Sequence, residues 1–424
     1  MRKISLAALA FMISICSLFA QKTAQPAQDS TRYKLREFKV EEINLVSGYY
    51  QQSGNHAGVT GGIGSEALTD FANNIDMSFS GVVKNGNKHT IKLDMGIDHY
   101  TSASSDKIDP RNRKKGGTQE VIDSALLVAP ATRTSASYAD TRVYPSVSYT
   151  IENREKQWRM GFGASFSGEY DYISRGISAT FNKSNAAGTR EWGIRGGAFF
   201  DTWSLILPVE LRTNTGGHDD DDDEEGVGRP RNTFETSFSL MQIVNRRLQL
   251  LFLADVAYQQ GYLATGYNRV FFNNGSMLNE NLPGRRLKTP VGLRANYFLG
   301  DRVILRSFYR YYRDNWGMSG HTASLETTIK VTPALSISPN YRMHQQSGIN
   351  YFAQYKQHAV TETYYSSDYD LSGFTSQFVG MGLRYAPAKR TIIPLFNAIE
   401  CRTGVFRRSD GLRSWIISCH LKFK

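Results

Sequence analysis

Trp158-Arg159-Met160-Gly161-Phe162-Gly163-Ala164-Ser165-Phe166-Ser167 sets Trp158, Met160, Phe162, Ala164 and Phe166 in strict alternation with arginine, glycine and serine. Successive side chains of a strand point to opposite faces, so this period of two describes a strand with one apolar face and one small or charged face. Roughly 9–11 residues of such a pattern cross a bilayer as a tilted strand. Outward from this stretch the pattern recurs. Ile91, Leu93, Met95 and Ile97 oppose Lys92, Asp94, Gly96 and Asp98. Val303, Leu305, Ser307, Tyr309 and Tyr311 oppose Arg306, Phe308, Arg310 and Tyr312. Trp415, Ile417, Cys419, Leu421 and Phe423 oppose Ser418, His420 and Lys422.

A soluble β-sandwich also alternates, and two features separate the cases. The small residues sit mainly on the polar face, as a filled or charged lumen needs. The chain also ends inside a strong amphipathic strand, as a barrel closed by its final strand does. Segments of this kind are 43–52, 75–84, 89–101, 142–152, 157–171, 173–182, 190–201, 233–243, 247–259, 289–299, 302–313, 321–332, 335–344, 376–386, 395–407 and 413–424. They predict an all-β fold, a transmembrane antiparallel β-barrel of about 16 strands, and an even number is the rule for bacterial single-chain barrels. Short connections such as Asn85-Gly86, Gly300-Asp301 and Thr332 to Ala334 interleave with long ones at 53–74, 102–141, 202–232, 260–288 and 345–375. That asymmetry predicts short periplasmic turns and long extracellular loops. Tight connections near Asn315 and Asp410 depart from it.

The start of the chain agrees with export. Arg2 and Lys3 precede an apolar run from Ile4 to Phe19, and Ala20 stands before Gln21, so 1–20 reads as a secretory signal peptide. Residues 21–42 read as a polar periplasmic segment and 43–424 as an outer-membrane β-barrel. No later window holds the 18 or so apolar residues of a spanning helix. The mean hydropathy of −0.40 is compatible with a membrane barrel, whose alternating strands average to polar. The formal net charge is +11 without a basic block. This suits a charged lumen and gives no ground for nucleic acid as a partner.

The inward-facing charges are the first candidate site: Asp94, Asp98, Arg159, Arg195, Asp255, Arg294, Arg306, Arg310, Glu326, Arg384, Glu400 and Arg402. Opposed charges across a wide lumen select solutes, and the same residues equally suit pairs that brace the wall. The acidic run Asp219 to Glu225 offers hard oxygen ligands without the spacing or turn glycine of a calcium loop, which fits a solvated loop tip better. Aromatic-rich loops at Tyr267 to Phe272, Tyr351 to Tyr355 and Tyr364 to Tyr369 suit either the mouth or the membrane edge. A hairpin centred on Arg408 to Leu412 sets Cys401 opposite Cys419 as a candidate disulfide in an oxidising compartment. Gly58-Val59-Thr60-Gly61-Gly62-Ile63-Gly64 lacks the Gly-Lys-Ser/Thr ending of a phosphate loop. No Ser–His–Asp spacing, cofactor motif or metal constellation is present, and no enzyme is expected.

Several stretches form a further pattern: Tyr49 to His56 running into Val59 to Gly64; Tyr100 to Asp106; Ser135 to Tyr144; Glu169 to Tyr172; Pro208 to Arg212; Tyr309 to Tyr312 with Asp314 and Trp316; and Tyr365 to Leu371. Together they resemble an uncharacterised, domain-of-unknown-function family of exported bacterial outer-membrane barrels. The resemblance implies an outer-membrane address among its lipids and work alongside a partner lipoprotein, and it carries no reaction or catalytic residue. Much of it falls in expected external loops. Asp106, Asp109, Asp140, Glu169, Asp171, Asp368 and Asp370 are therefore expected to gather at an extracellular rim. They would pair there with Arg142, Arg111 and Arg310 or bind a cation. The expected function is a channel or transporter for a small solute or ion through a charged lumen. The alternative is an interaction barrel whose ordered loops hold a partner lipoprotein or a cation.

Overall fold

The computed structural model describes residues 38–83, 86–101, 139–204, 211, 228–387 and 396–423. The expected leader at 1–20, nearly all of 21–42, the acidic run 219–225, Asp106, Asp109 and Arg111 lie outside the described residues.

The first half of the wall is β1 (Lys39–Ser53), β2 (Leu68–Val82), β3 (Lys88–Thr101), β4 (Ala139–Asn153), β5 (Trp158–Gly168), β6 (Tyr172–Ser184), β7 (Arg190–Ser204) and β8 (Gly228–Ile243). After β9 (Leu248–Gly261) a small loop hairpin of β10 (Arg269–Phe271) and β11 (Met277–Asn279) intervenes. The wall resumes with β12 (Arg285–Lys288), β13 (Val291–Leu299), β14 (Val303–Arg313), β15 (Ser319–Lys330), β16 (Leu335–Gln346), β17 (Phe374–Tyr385), β18 (Phe396–Arg408) and β19 (Arg413–Phe423). All neighbours pair antiparallel, and β1 pairs with both β2 and β19, which closes the ring. β12 and β13 both pair with β9 and are halves of one wall strand, interrupted at Thr289 and Pro290. Proline has no N–H to give, yet its carbonyl accepts from Asp255 N at 2.9 Å, so the ladder passes the break. The wall is therefore a closed barrel of 16 strands.

Each of the expected segments coincides with a wall strand, and several strands begin earlier than the pattern suggests, β1, β2, β4, β8 and the β12 half-strand among them. β2 starts at Leu68, not at 75, because Thr69 and Asn73 flank Phe71 on its outward face and blur the alternation. β1 starts at Lys39, inside the segment expected to be a polar lead. A bulge between Val40 and Glu42 shifts its register there, and period-two reading fails across a bulge.

Connections alternate strictly between the two ends. One end holds 83–87, 154–157, 185–189, 244–247, 300–302, 331–334 and 386–395. The other holds 54–67, 102–138, 169–171, 205–227, 262–284, 314–318, 347–373 and 409–412. The tight connections near Asn315 and Asp410 thus belong to the long-loop end.

The outer face carries large exposed apolar side chains on strand after strand, including Leu93, Met95, Val147, Phe162, Ile177, Ile194, Phe238, Leu293, Leu325, Val379 and Ile417. Among the described residues no helix is long and apolar enough to cross a membrane. Strands can cross only as a closed barrel, since every backbone group must be bonded within the structure. A closed, even-stranded barrel with such a belt is the architecture of bacterial outer-membrane proteins. Close-packed apolar residues lie elsewhere: Ala57, Val59, Ala264, Val270, Phe272, Leu282, Trp316, Met318, Ile349 and Tyr365 are all in connections at the long-loop end. The molecule buries its apolar core in its loops.

Candidate functional site

Alternation turns even-numbered residues of β13 to β18 inward, and the charged ones among them join into one chain across the inner wall. Arg306 meets Glu326 at 2.6 Å, Glu326 meets Arg402 at 2.9 Å, Arg402 meets Glu400 at 2.5 Å, and Arg384 approaches Glu400 at 3.8 Å. Glu326 on β15 and Arg402 on β18 are three strands apart. The long arginine side chain spans that gap because Gly382 lies beneath it, with its would-be Cβ 3.5 Å from Arg402 Cγ. Arg310 faces Asp255 at 4.0 Å and Arg294 lies 5.7 Å from the Phe308 ring centre. On the other arc Asp94 accepts from Asn74, Asp98 from Tyr144 at 2.8 Å, Arg159 faces Glu191 at 3.4 Å, and Arg195 faces Glu235 at 3.8 Å.

The twelve residues expected in the lumen thus stand on inward-facing strand positions, and nearly all have a polar or charged neighbour. Bracing is nevertheless a minor contribution. Arg306, Arg384 and Arg402 side chains are 44%, 54% and 42% exposed, and exposed ion pairs contribute only about 0–1 kcal/mol each. The inward charges are also unevenly distributed around the ring. Arg294, Arg306, Arg310, Arg342, Arg384 and Arg402 on β13 to β18 outweigh Glu326 and Glu400, while β1 to β3 present Glu42, Asp70, Asp76, Asp94 and Asp98 beside Lys92.

The mouth at the long-loop end is crossed by packed loops. Connection 54–67 rises between β1 and β2, and connection 262–284 rises on the opposite side of the ring. They meet: Arg269 Nη1 donates to Val59 O at 2.7 Å, and Phe271 packs on Gly61. Connection 347–373 joins both. Tyr365 N donates to Asn281 O at 2.8 Å, the Tyr369 ring stacks on His56 with centres 3.7 Å apart, and Ser367 O lies close to Gly62. The glycine run is therefore a packing device. At φ +79 and +82 Gly61 and Gly62 adopt left-handed backbone, and a Cβ there would stand 2.6 Å from the Phe271 ring or 2.7 Å from Ser367 O. The aromatic loop runs pack inward too, with Phe272 against Tyr365, Trp316 against Tyr351 and Phe271 against Tyr355.

Two arginine–aspartate nodes pin this cap to the wall, and they account for the tight connections. Asp314, its side chain fully buried, accepts from Arg286 Nε and Nη2 at 2.9 and 2.5 Å, from Tyr312 Oη at 2.8 Å, and from Trp316 and Met318 N at 3.0 Å each. The guanidinium of Arg286 lies 4.3 Å from the Trp316 ring centre. Arg408 pairs with Asp370 and Asp410, donates to Tyr369 O at 3.1 Å, and lies 4.1 Å from the Phe374 ring centre.

The described rim acids do stand at this end, although Arg142 and Arg310, the two expected arginines that are described, do not partner them. Arg142 donates to Ser167 Oγ, and Arg310 lies down in the lumen opposite Asp255. Arg408 takes that part with Asp370. Asp140 accepts from Tyr170 N at 2.9 Å, and Glu169 accepts from Tyr100 Oη. Asp368 accepts from Asp370 N at 2.9 Å. Burial, then the charges of Glu169 and Asp140, raise the Asp171 carboxyl to about 6. Burial, then Asp370, raise Glu66 to about 7. Burial also raises Tyr267, followed by the carboxylates Asp171, Glu169, Asp368 and Glu280, which places a third side of the ring, connection 169–171, near the same point. Glu280 is buried, raised by desolvation and by Asp368, and takes Ser366 Oγ at 2.5 Å and Thr265 N at 2.6 Å. Among the described residues no three His, Cys, Asp or Glu groups gather at metal-ligand spacing.

Sequence reading missed Arg286, Arg408, Glu66, Glu280 and buried His358. Only Arg408, two residues from Asp410, left a local trace. Cys401 and Cys419 face each other across β18 and β19 as the hairpin register predicts, their unbonded sulfurs 3.2 Å apart on the lipid face.

The family described as "Protein of unknown function (DUF3570)" matches residues 4–393 of this sequence. No curated protein matches it. Among solved structures, similarity extends to OccK9 (OpdG) of Pseudomonas aeruginosa, at 10% identity over 90% of this chain and 97% of that one, TM-score 0.40. A BenF-like porin from Pseudomonas fluorescens Pf-5 aligns at 10% identity over 90% and 98%, TM-score 0.41. The TodX monoaromatic hydrocarbon channel, as a deletion mutant, aligns at 12% identity over 94% and 92%, TM-score 0.37. Likenesses this distant add nothing to what the strand pairing itself shows.

Proposed function

The chain belongs to the DUF3570 family of proteins of unknown function, and we propose that it is an outer-membrane channel in which a loop cap controls entry to a charged lumen. The observation that carries the reading is the inner arginine chain from Arg306 through Arg402 to Arg384, on the wall of a barrel wide enough to hold water. Solvent-exposed pairs contribute little to stability, whereas aligned fixed charges in a confined path discriminate among solutes. The excess of arginine favours small anions or solutes with an anionic end on that side.

Conductance of the full-length protein in planar bilayers tests this. Ion conduction with anion preference is expected, and the preference should fall in the Arg306→Ala, Arg402→Ala double variant. A folded, inserted protein that conducts nothing, even with connection 347–373 shortened, overturns the channel.

The second reading is an interaction barrel, and one observation favours it: the apolar core of the molecule lies in the cap. A loop domain this ordered offers a rigid outer surface to a partner lipoprotein. Stoichiometric co-purification of one lipoprotein, lost on shortening connection 347–373 while the barrel stays folded, is the result that supports it.

A further inference from the structure

We propose that the inner wall of β4 to β8 is a binding track for an uncharged polyhydroxylated solute of the saccharide class, set apart from the arginine arc across the lumen. The proposal rests on the channel reading in one respect: solute must reach the lumen.

A cavity of about 320 Å³ lies against this wall, at the low end of the roughly 300–1,000 Å³ typical of small-molecule sites. Hydroxyl groups from three adjacent strands line it: Ser146, Ser148 and Thr150 on β4, Ser165 on β5, Ser178 and Thr180 on β6. Its only charged lining residue among those described is Arg195, offset by Glu235 at 3.8 Å. Such a surface offers many two-way hydrogen-bonding groups and little net charge, which suits a ligand rich in hydroxyl and ether oxygens.

The inward face of β7 continues the track. Phe199 lines the cavity with its ring laid against Gly176, where a Cβ would stand 2.6 Å from the ring. The absence of a side chain at Gly176 thus lets an aromatic plate lie close to the wall. Two residues further, Asp201 is only 5% exposed. Its Oδ2 accepts from Arg231 Nε at 2.9 Å, the Tyr172 hydroxyl also bears on the carboxylate, and its buried Oδ1 has no hydrogen-bond partner of its own. Two residues beyond, Trp203 Nε1 is likewise buried and unpartnered. One atom needs a donor and its neighbour needs an acceptor, and leaving either unmet is costly. A polyol carries partners of both kinds. A hydroxyl-lined trough on β4 to β6, with an aromatic plate and an unmet acceptor and donor beside it on β7, together describe a sugar site.

The test is titration calorimetry of maltotriose into the detergent-solubilised full-length barrel, which needs no conduction. Saturable binding is expected. Phe199→Leu and Asp201→Asn should each weaken it by about tenfold, the equivalent of one ring face or one hydrogen bond. Asn340→Ser, on β16 across the lumen, should leave it unchanged. Folding of every variant is checked by heat-modifiable electrophoretic mobility. No binding by folded wild-type protein overturns the proposal. So does wild-type affinity in both β7 variants, which would mean that the orphan atoms take only water. Binding without conductance removes the pore and keeps the site; conductance without binding does the reverse.

Discussion

Replacing Asp314 by alanine would leave the Arg286 guanidinium buried beside Trp316 with no counter-charge, and would free the amides of Trp316 and Met318. Breaking a buried pair costs about 3–5 kcal/mol. Amide exchange across 314–318 and 347–352 should accelerate accordingly, while wall strands keep their protection. Gly62→Ala acts at the other side of the cap. It places a Cβ 2.7 Å from Ser367 O at a positive φ, a strain of roughly 1–3 kcal/mol. Limited proteolysis should then cut 347–373 sooner, and an unchanged cleavage rate would remove that residue from the account. The carboxyls give the cap a pH dependence. Glu66 rises from 4.5 to about 7 and Asp171 from 3.8 to about 6. The closed cap therefore binds these protons more tightly than an opened one does. Its contribution is full below the ordinary values and is lost as pH rises through about 6 to 7. Loop protection should fall between pH 5 and pH 8, and Glu66→Gln should flatten that change.

At the scale of elements, the strands were legible because each has to satisfy lipid on one side and water on the other, which writes period two into the sequence. The pattern failed at strand starts where that demand relaxes, among them the bulged start of β1, the polar start of β2 and the first five residues of β8. The cap was far less legible. Its largest apolar cluster unites Ala264, Leu282, Trp316 and Ile349 from connections without periodicity, and the pairing of Asp314 with Arg286 or of Arg408 with Asp370 could not be read from neighbours alone. What the sequence did show were its fragments: the glycine run at 58–64, the aromatic loop segments, and the stretch from Tyr365 to Leu371. The β18–β19 hairpin was legible down to its cysteine register. In an oxidising compartment those facing thiols should be found bonded. Alkylation without prior reduction is then expected to modify neither cysteine, and two labelled thiols would exclude the bond.

For the molecule as a whole, the separation of charge between arcs makes a prediction that single residues cannot. On the channel reading proposed above, the basic arc of β13 to β18 and the acidic arc of β1 to β3 would set up a transverse field that salt screens within about 10 Å at 0.1 M. Ion preference should weaken steadily as ionic strength increases, and a preference independent of salt would place selectivity in a constriction instead. The crossing of the mouth carries a different consequence, one of timing. The bond from Arg269 to Val59 joins residues 210 apart in sequence. Its two ends lie on opposite sides of the closed ring. Contacts of such long range are slow to form, so cap formation should be the last event of assembly, after closure of the seam. An insertion machine or a surveillance protease that sensed only the cap would in effect be reading whether the barrel had been finished.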